Sequence, residues 1–232
     1  MTGYLLHQTA SEEAFTAKAV ELIKGDMTGA FADHGQCILG LSGGSTPRPI
    51  YEALGKEAFD WPNVNIFLVD ERCVPANHRG SNQGMVRETL LRFAPIPEKN
   101  ISFPDTSLPV EECIEQFTRG MKNLIRTRLP DICVLGMGED GHIASLFPPV
   151  PDIALTDRVF ALHTATNSFA VRDRITLSLN VIAAAGSHVI LLKGSEKKHM
   201  WEEMLASPEG EDRWPMKRLL AGGSRVDIVV FW

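Results

Sequence analysis

"DICVLGMGEDGHIASLFPP", residues 131–149, joins an apolar run to a glycine-rich turn and then to prolines. Gly136, Gly138 and Gly141 have the G-x-G-x-x-G spacing of a dinucleotide-binding turn. That turn needs a strand before it, a long helix after it whose first amides face a pyrophosphate, and an acid about 20 positions on for the ribose. Only the strand condition is met. Pro148, Pro149 and Pro151 limit any helix near Gly141 to a turn or two, because proline lacks the helical donor and clashes with the preceding turn. The place for the ribose acid falls in "FALHTAT", residues 160–166, which has no carboxylate. The stretch therefore reads as a strand followed by a tight functional turn, and not as a nucleotide site.

Working outward, short β-branched or apolar runs alternate with longer amphipathic segments. "CILGLS" (37–42), "VNIFLVDE" (64–71), "DICVLG" (131–136), "RVFALHT" (158–164), "HVILLKG" (188–194) and "VDIVVFW" (226–232) read as strands. Residues 11–35, 46–57, 81–93, 109–129 and 195–206 carry apolar side chains at three- and four-residue spacing and read as helices. Strands apolar on both faces predict an α/β fold, a mostly parallel sheet flanked by helices on both faces in three Rossmann-like layers. With no internal repeat or linker, residues 1–232 are expected to form one domain. The Pro-rich segment 93–109 reads as a lid-like surface connection.

An apolar content of 44% supports a substantial core. No run approaches a membrane span, and "MTGYLLHQTASEEAF" does not have the order of regions of a secretory leader, so a cytoplasmic protein is expected. The four cysteines lack C-x-x-C pairing, and three sit in or beside apolar runs, which suits reduced thiols and predicts no structural metal. With 23 Lys and Arg against 29 Asp and Glu, the net charge is −6, and no basic cluster suggests a nucleic-acid surface. Positive contacts to an anionic substrate must be local.

Ligands of open α/β sheets bind outside the carboxyl ends of strands, and the chemistry-bearing residues gather there. In "SGGSTPRP" (42–49), Gly43 and Gly44 allow close backbone approach, Ser45 or Thr46 can cap, and Pro47 suits a first helical position, so free amides would converge on an anion such as phosphate. The lysine-hydroxyl pair of a nucleotide P-loop is missing. "VDERCVP" offers Asp70 to accept from sugar hydroxyls or take a proton, and Arg72 to clamp phosphate or carboxylate. Taken alone, each would be read as a surface ion pair. Lys197, after "LLKG", and Arg174, in "RDRITL", are further candidate cations, whereas Lys198 reads as solvated. His142 in "GEDGHIAS" stands two residues after Asp140, and a histidine oriented by a carboxylate can act as a general base near neutral pH. The other six of the seven histidines lack such surroundings. No G-x-S-x-G elbow is present, which favours water activation over an acyl-enzyme.

"LSGGSTP", "VDERCVP" with "SNQGM", "GMGEDGHIASLFP", "RITL" and "KGSEK" together, in this order along nearly the whole chain, resemble the glucosamine-6-phosphate isomerase/6-phosphogluconolactonase family, on its lactonase side. The resemblance implies the fold of the glucosamine-6-phosphate deaminase group. It also implies hydrolysis of 6-phospho-D-glucono-1,5-lactone to 6-phosphogluconate in the oxidative pentose phosphate pathway, without cofactor or metal. By the same resemblance His142 is the general base, and Ser42, Gly43, Gly44, Ser45, Thr46, Arg72 and Lys197, with Arg174, are substrate and phosphate contacts. Asp70 and Gly138 join them as candidate substrate-binding residues, and amides of the 136–141 turn are candidate oxyanion donors. The expected partner is a small sugar-phosphate lactone, with neither nucleic acid nor membrane, and the chain is expected to act as a monomer or weak homo-oligomer. Two alternatives stand beside this reading, a deaminase and a non-catalytic sugar-phosphate sensor. The deaminase pattern has a glutamate five positions after the histidine and a tyrosine after the acidic pair, where this chain has Phe147 and Arg72. A sensor would carry a DNA-binding segment, and no helix-turn-helix fits before the first strand.

Overall fold

Cys133, Val134 and Leu135 follow one another through the middle of the protein, with side chains alternating between two apolar clusters on opposite faces of a sheet. The computed structural model describes residues 3–232. Its strands are β1 (Tyr4–Gln8), β2 (Cys37–Leu41), β3 (Val64–Leu68), β4 (Asp70–Arg72), β5 (Ile101–Ser102), β6 (Ile132–Gly136), β7 (Ala161–Ala165), β8 (Asp173–Leu177), β9 (Ser187–Lys193) and β10 (Arg225–Phe231). The helices are α1 (Glu12–His34), α2 (Arg48–Gly55), α3 (Asn82–Glu88), α4 (Leu90–Phe93), α5 (Val110–Leu124), α6 (Leu179–Ala183), α7 (Ser195–Ala206) and α8 (Met216–Ala221).

Seven strands in the order β1-β10-β9-β6-β2-β3-β5 make one sheet, with every pairing parallel. Helices α1 to α4 bury Phe15, Ile23, Ile50, Leu54, Val86 and Leu90 with Leu39, Ile66 and Val134 on one face. On the other face, α5 to α8 bury Phe117, Ile182, Trp201, Met204 and Leu219 with Ile38, Phe67, Cys133 and Ile190. The predicted three layers are present, because strands covered on both sides can afford no polar face. Gly40 makes the centre fit: a Cβ there would lie 2.5 Å from the Phe67 ring and 2.8 Å from the Cys133 sulfur. No described helix is long and apolar enough to cross a membrane.

The structure corrects several expectations. "VNIFLVDE" is not one strand. At Val69 the chain changes sheets, its N–H donating to Leu41 of β2 and its carbonyl accepting from Leu177 of β8. Asp70–Arg72 then pairs antiparallel with β8, which pairs antiparallel with β7, so "RVFALHT" supplies a strand of a separate three-stranded sheet and not of the parallel one. Ile175, Leu177 and Ala161 tie this small sheet into the core beneath it. The Pro-rich segment is no lid. Ile101–Ser102 pairs with β3, Ala94, Ile96 and Pro104 are buried, and the Pro104 carbonyl accepts from Gln83 Nε2. Helix α2 begins at Arg48 with Pro47 at its N-cap and no side-chain cap, so neither Ser45 nor Thr46 caps it.

Candidate active site

The loops after β2 and β6 leave adjacent strands whose onward connections run to opposite sides of the sheet, toward β3 and toward β9. Such a switch point opens a crevice at the carboxyl edge. A cavity of about 390 Å³ occupies it, and its lining includes all ten substrate-binding candidates named above, together with His142. Asp140 stands behind His142, outside the lining.

The Ser42–Pro47 turn is shaped by its surroundings. The Ser42 N–H donates to the Tyr51 hydroxyl at 3.1 Å, and that hydroxyl donates back to the Ser42 carbonyl at 3.0 Å. A Cβ on Gly43 would fall 1.8 Å from Asn82 Oδ1, and Gly44 has φ +106°, so both glycines are required here. Among the described residues, the backbone N–H groups of Gly43, Gly44, Ser45 and Thr46 and both hydroxyls have no protein acceptor. With capping not using them, these donors belong to residues of the cavity lining and are available to an anion.

Three cations accompany it. Arg72 and Arg174 are register partners across β4 and β8, Arg72 Nη1 donating to the Gly80 carbonyl and Arg174 Nε to the Val171 carbonyl. Burial, and then the neighbouring Arg72 charge, hold the Arg174 guanidinium below its usual range. Lys197, in the first turn of α7, is likewise held below its usual range by burial, against the pull of Glu139, Asp140 and Glu196. Among the described residues none of the three makes an ion pair. Unneutralised cations held together cost energy unless an anion joins them. The Asp70 carboxylate, 5% exposed, accepts from Ser145 Oγ at 2.6 Å. Its neighbour Glu71 turns away from the cavity, accepting from the N–H groups of Arg72, Asn82 and Gln83 at 2.7 Å each and from Ser81 Oγ. Burial raises the Glu71 carboxyl above its usual range, and these amides pull it partly back.

In the 136–142 turn, His142 Nδ1 and its backbone N–H both meet Asp140 Oδ1, which leaves Nε2 without a protein partner. Burial alone would raise the Asp140 carboxyl, but the hydrogen bond and charge of His142 outweigh it and hold it below its usual range. A Cβ on Gly138 would lie 2.0 Å from His142 Nδ1, so the absent side chain is what admits the imidazole. The Gly138 amide donates to the His142 carbonyl and that of Gly141 to the Gly138 carbonyl, which removes both from the candidate oxyanion donors; the amides of Met137 and Glu139, both in the cavity lining, have no backbone acceptor among the described residues. Phe147 and Phe169 flank the imidazole, with ring centroids 4.7 and 5.4 Å away. No helix follows the turn, as the prolines require; the next helical residues are the 3₁₀ turn Asp152–Leu155.

Asn82, Glu139 and Phe169 line the cavity without having been singled out. Asn82 lies in "SNQGM", whose composition reads only as a helix start. Phe169 is the one aromatic in the polar loop "TNSFAVR", and that isolation in the sequence is the signal that marks it.

The chain matches the family described as glucosamine-6-phosphate isomerases/6-phosphogluconolactonase over residues 10–228. It is 38% identical to a probable 6-phosphogluconolactonase of Dictyostelium discoideum over 97% of each chain, and 34% identical to the 6-phosphogluconolactonase of Pseudomonas aeruginosa over 90% of this chain and 87% of the relative. The crystal structure of a 6-phosphogluconolactonase from Shewanella baltica superposes with a TM-score of 0.89 at 28% identity, covering 98% of this chain and 97% of that one. That of Thermotoga maritima gives 0.85, also at 28%, over 98% and 99%. The family match over residues 10–228 and the 38% identity along 97% of each chain place this protein in the glucosamine-6-phosphate isomerase/6-phosphogluconolactonase family.

Proposed function

We propose that this protein hydrolyses 6-phospho-D-glucono-1,5-lactone to 6-phosphogluconate, a step of the oxidative pentose phosphate pathway, working as one domain whose small sheet shares the main core. The observation that carries this is the meeting, in one cavity, of a histidine with a free Nε2 and a set of unspent anion donors. The Ser42–Thr46 amides and hydroxyls, Arg72 and Lys197 take the phosphate, with Arg174 beside Arg72. Asp70, fixed by Ser145, accepts from sugar hydroxyls. Held by Asp140, His142 takes a proton from water as the water oxygen attacks C1. The carbonyl oxygen gathers charge near the Glu139 amide, and collapse of the intermediate expels the ring oxygen, which receives the proton back from His142. Phosphate binding chiefly supplies orientation.

Phe147 against His142 favours this over deamination, since a phenyl ring can neither accept a proton nor orient an imidazole. The test is acid release from fresh phosphogluconolactone against the spontaneous background, beside ammonia release from glucosamine 6-phosphate. Lactone hydrolysis without ammonia is expected, with His142→Ala and His142→Asn lowering kcat by about 10²-fold or more. Near-normal turnover by folded variants would remove His142 as the base. Comparable ammonia release would favour the deaminase, and inactivity on both substrates with tight sugar-phosphate binding would favour the sensor.

A further inference from the structure

Residues 210–214 approach the catalytic turn from a distant part of the chain and hold it at both ends. The Asp212 carbonyl accepts from the Val150 N–H at 2.8 Å, where the turn's segment leaves the site. Arg213 Nη1 donates to the Asp140 carbonyl at 2.9 Å, inside the turn itself. The guanidinium stacks 3.7 Å over the Trp214 ring, which is fully buried, and a Cβ on Gly141 would meet that ring at 2.6 Å. Arg213 Nη2 also lies 3.8 Å from Glu203 of α7, the helix that brings Lys197 to the cavity. Arg213 itself does not line the cavity.

We infer that Arg213 is a positioning residue for the reaction, bracing the Asp140–Gly141 peptide and through it the Asp140–His142 pair. The inference rests on the reading of His142 as the base. Its physical basis is the peptide plane. Gly141 has φ +90°, and within the turn the Asp140–Gly141 peptide is held through the Gly141 N–H alone, which donates to the Gly138 carbonyl at 3.2 Å, so Arg213 supplies the second anchor, on the carbonyl side of the plane. Rotation of that plane swings the carboxylate away from Nδ1, and the imidazole then loses the partner that aims Nε2. A guanidinium stacked on an immobile indole suits the task, since its planar fork is already oriented. The anion cradle belongs to a different loop, so loss of the brace should disturb turnover and leave substrate affinity nearly untouched.

The experiment compares Arg213→Met, which keeps the stem over Trp214 but removes the donors, with Arg213→Lys and the parent protein. Steady-state lactone hydrolysis gives kcat and KM, thermal unfolding gives the folded fraction, and low-temperature proton NMR follows the downfield Nδ1 proton shared by His142 and Asp140, assigned with His142→Asn. We expect Arg213→Met to lower kcat about 10-fold or more, as small misplacements of catalytic groups do. KM should stay within about twofold, the shared proton resonance should be lost, and Arg213→Lys should recover part of both. A kcat that falls only with the folded fraction while the resonance persists would overturn the inference, as would a raised KM with unchanged kcat. If Arg213→Met does not fold, Arg213→Gln, too short to reach the carbonyl, carries the same comparison. Full activity in His142→Ala would instead sink the base assignment, whereas the proton resonance reads the brace whichever group is the base.

Discussion

Arg72 and Lys197 reach the cavity from β4 and α7, and neither makes an ion pair among the described residues. Arg72→Ala and Lys197→Ala should each raise KM for the lactone, and Kd for 6-phosphogluconate, by about 10- to 100-fold, the usual effect of removing a charge-assisted hydrogen bond. Circular dichroism should show both variants folded, and unchanged constants in both would move the phosphate elsewhere. At this scale the sequence was informative where chemistry and backbone coincide. Gly43 and Gly138 are legible because only glycine tolerates what stands beside them, and Gly44 because its φ of +106° favours glycine. Which glycine amides remain free was not legible. Gly138 looks like an oxyanion donor by spacing, yet its N–H is taken by the His142 carbonyl four residues on, a pairing that depends on how the turn closes.

Among the elements, the short strand β4 depends on a carboxylate that composition would assign to the surface. Glu71 is fully buried and ties β4 to the start of α3 through the amides of Asn82 and Gln83 and the Ser81 hydroxyl, while also accepting from the Arg72 amide within β4. Glu71→Gln replaces one accepting oxygen with a donor that faces other donors. It should destabilise the fold by about 1–3 kcal/mol, read from chemical denaturation, with KM rising because Arg72 and Asn82 both lean on this joint. A variant as stable as the parent would show that the amides find other acceptors. Strand periodicity revealed β2, β6, β9 and β10 since each carries a continuous apolar run of three or more residues. It missed β1, with Leu5 and Leu6 exposed on an edge, and β8, whose "DRITL" begins with two charges. The switch of sheets at Val69 was hidden in the sequence, because no turn or breaker residue separates the apolar "VNIFLV" from Asp70 and Glu71, and the change of polarity reads as the ordinary end of a strand.

Over the whole molecule, negative charge prevails at −6, while the cleft gathers two arginines and a lysine that form no ion pair among the described residues, with Arg72 and Arg174 side by side. The unliganded protein therefore carries a local repulsion that product relieves. At about 100 times its Kd, 6-phosphogluconate should raise Tm by roughly 5–10 °C, by mass action on a chain of this size. Differential scanning fluorimetry would measure this, and an unmoved Tm at saturating ligand would contradict it. The register that sets Arg72 directly across from Arg174 has a practical consequence as well. Like charges facing one another across a ladder disfavour the pairing, so the small sheet is held best when some counterion bridges it, and it need not be the substrate's. Sulfate or inorganic phosphate in a buffer should settle there, compete with the lactone and firm up the hairpin, whereas chloride, without a tetrahedral array of oxygens, should do so poorly. Rates measured in phosphate and in an organic zwitterionic buffer would then differ at the same pH and ionic strength, and the protein would look more stable in the medium where it works more slowly.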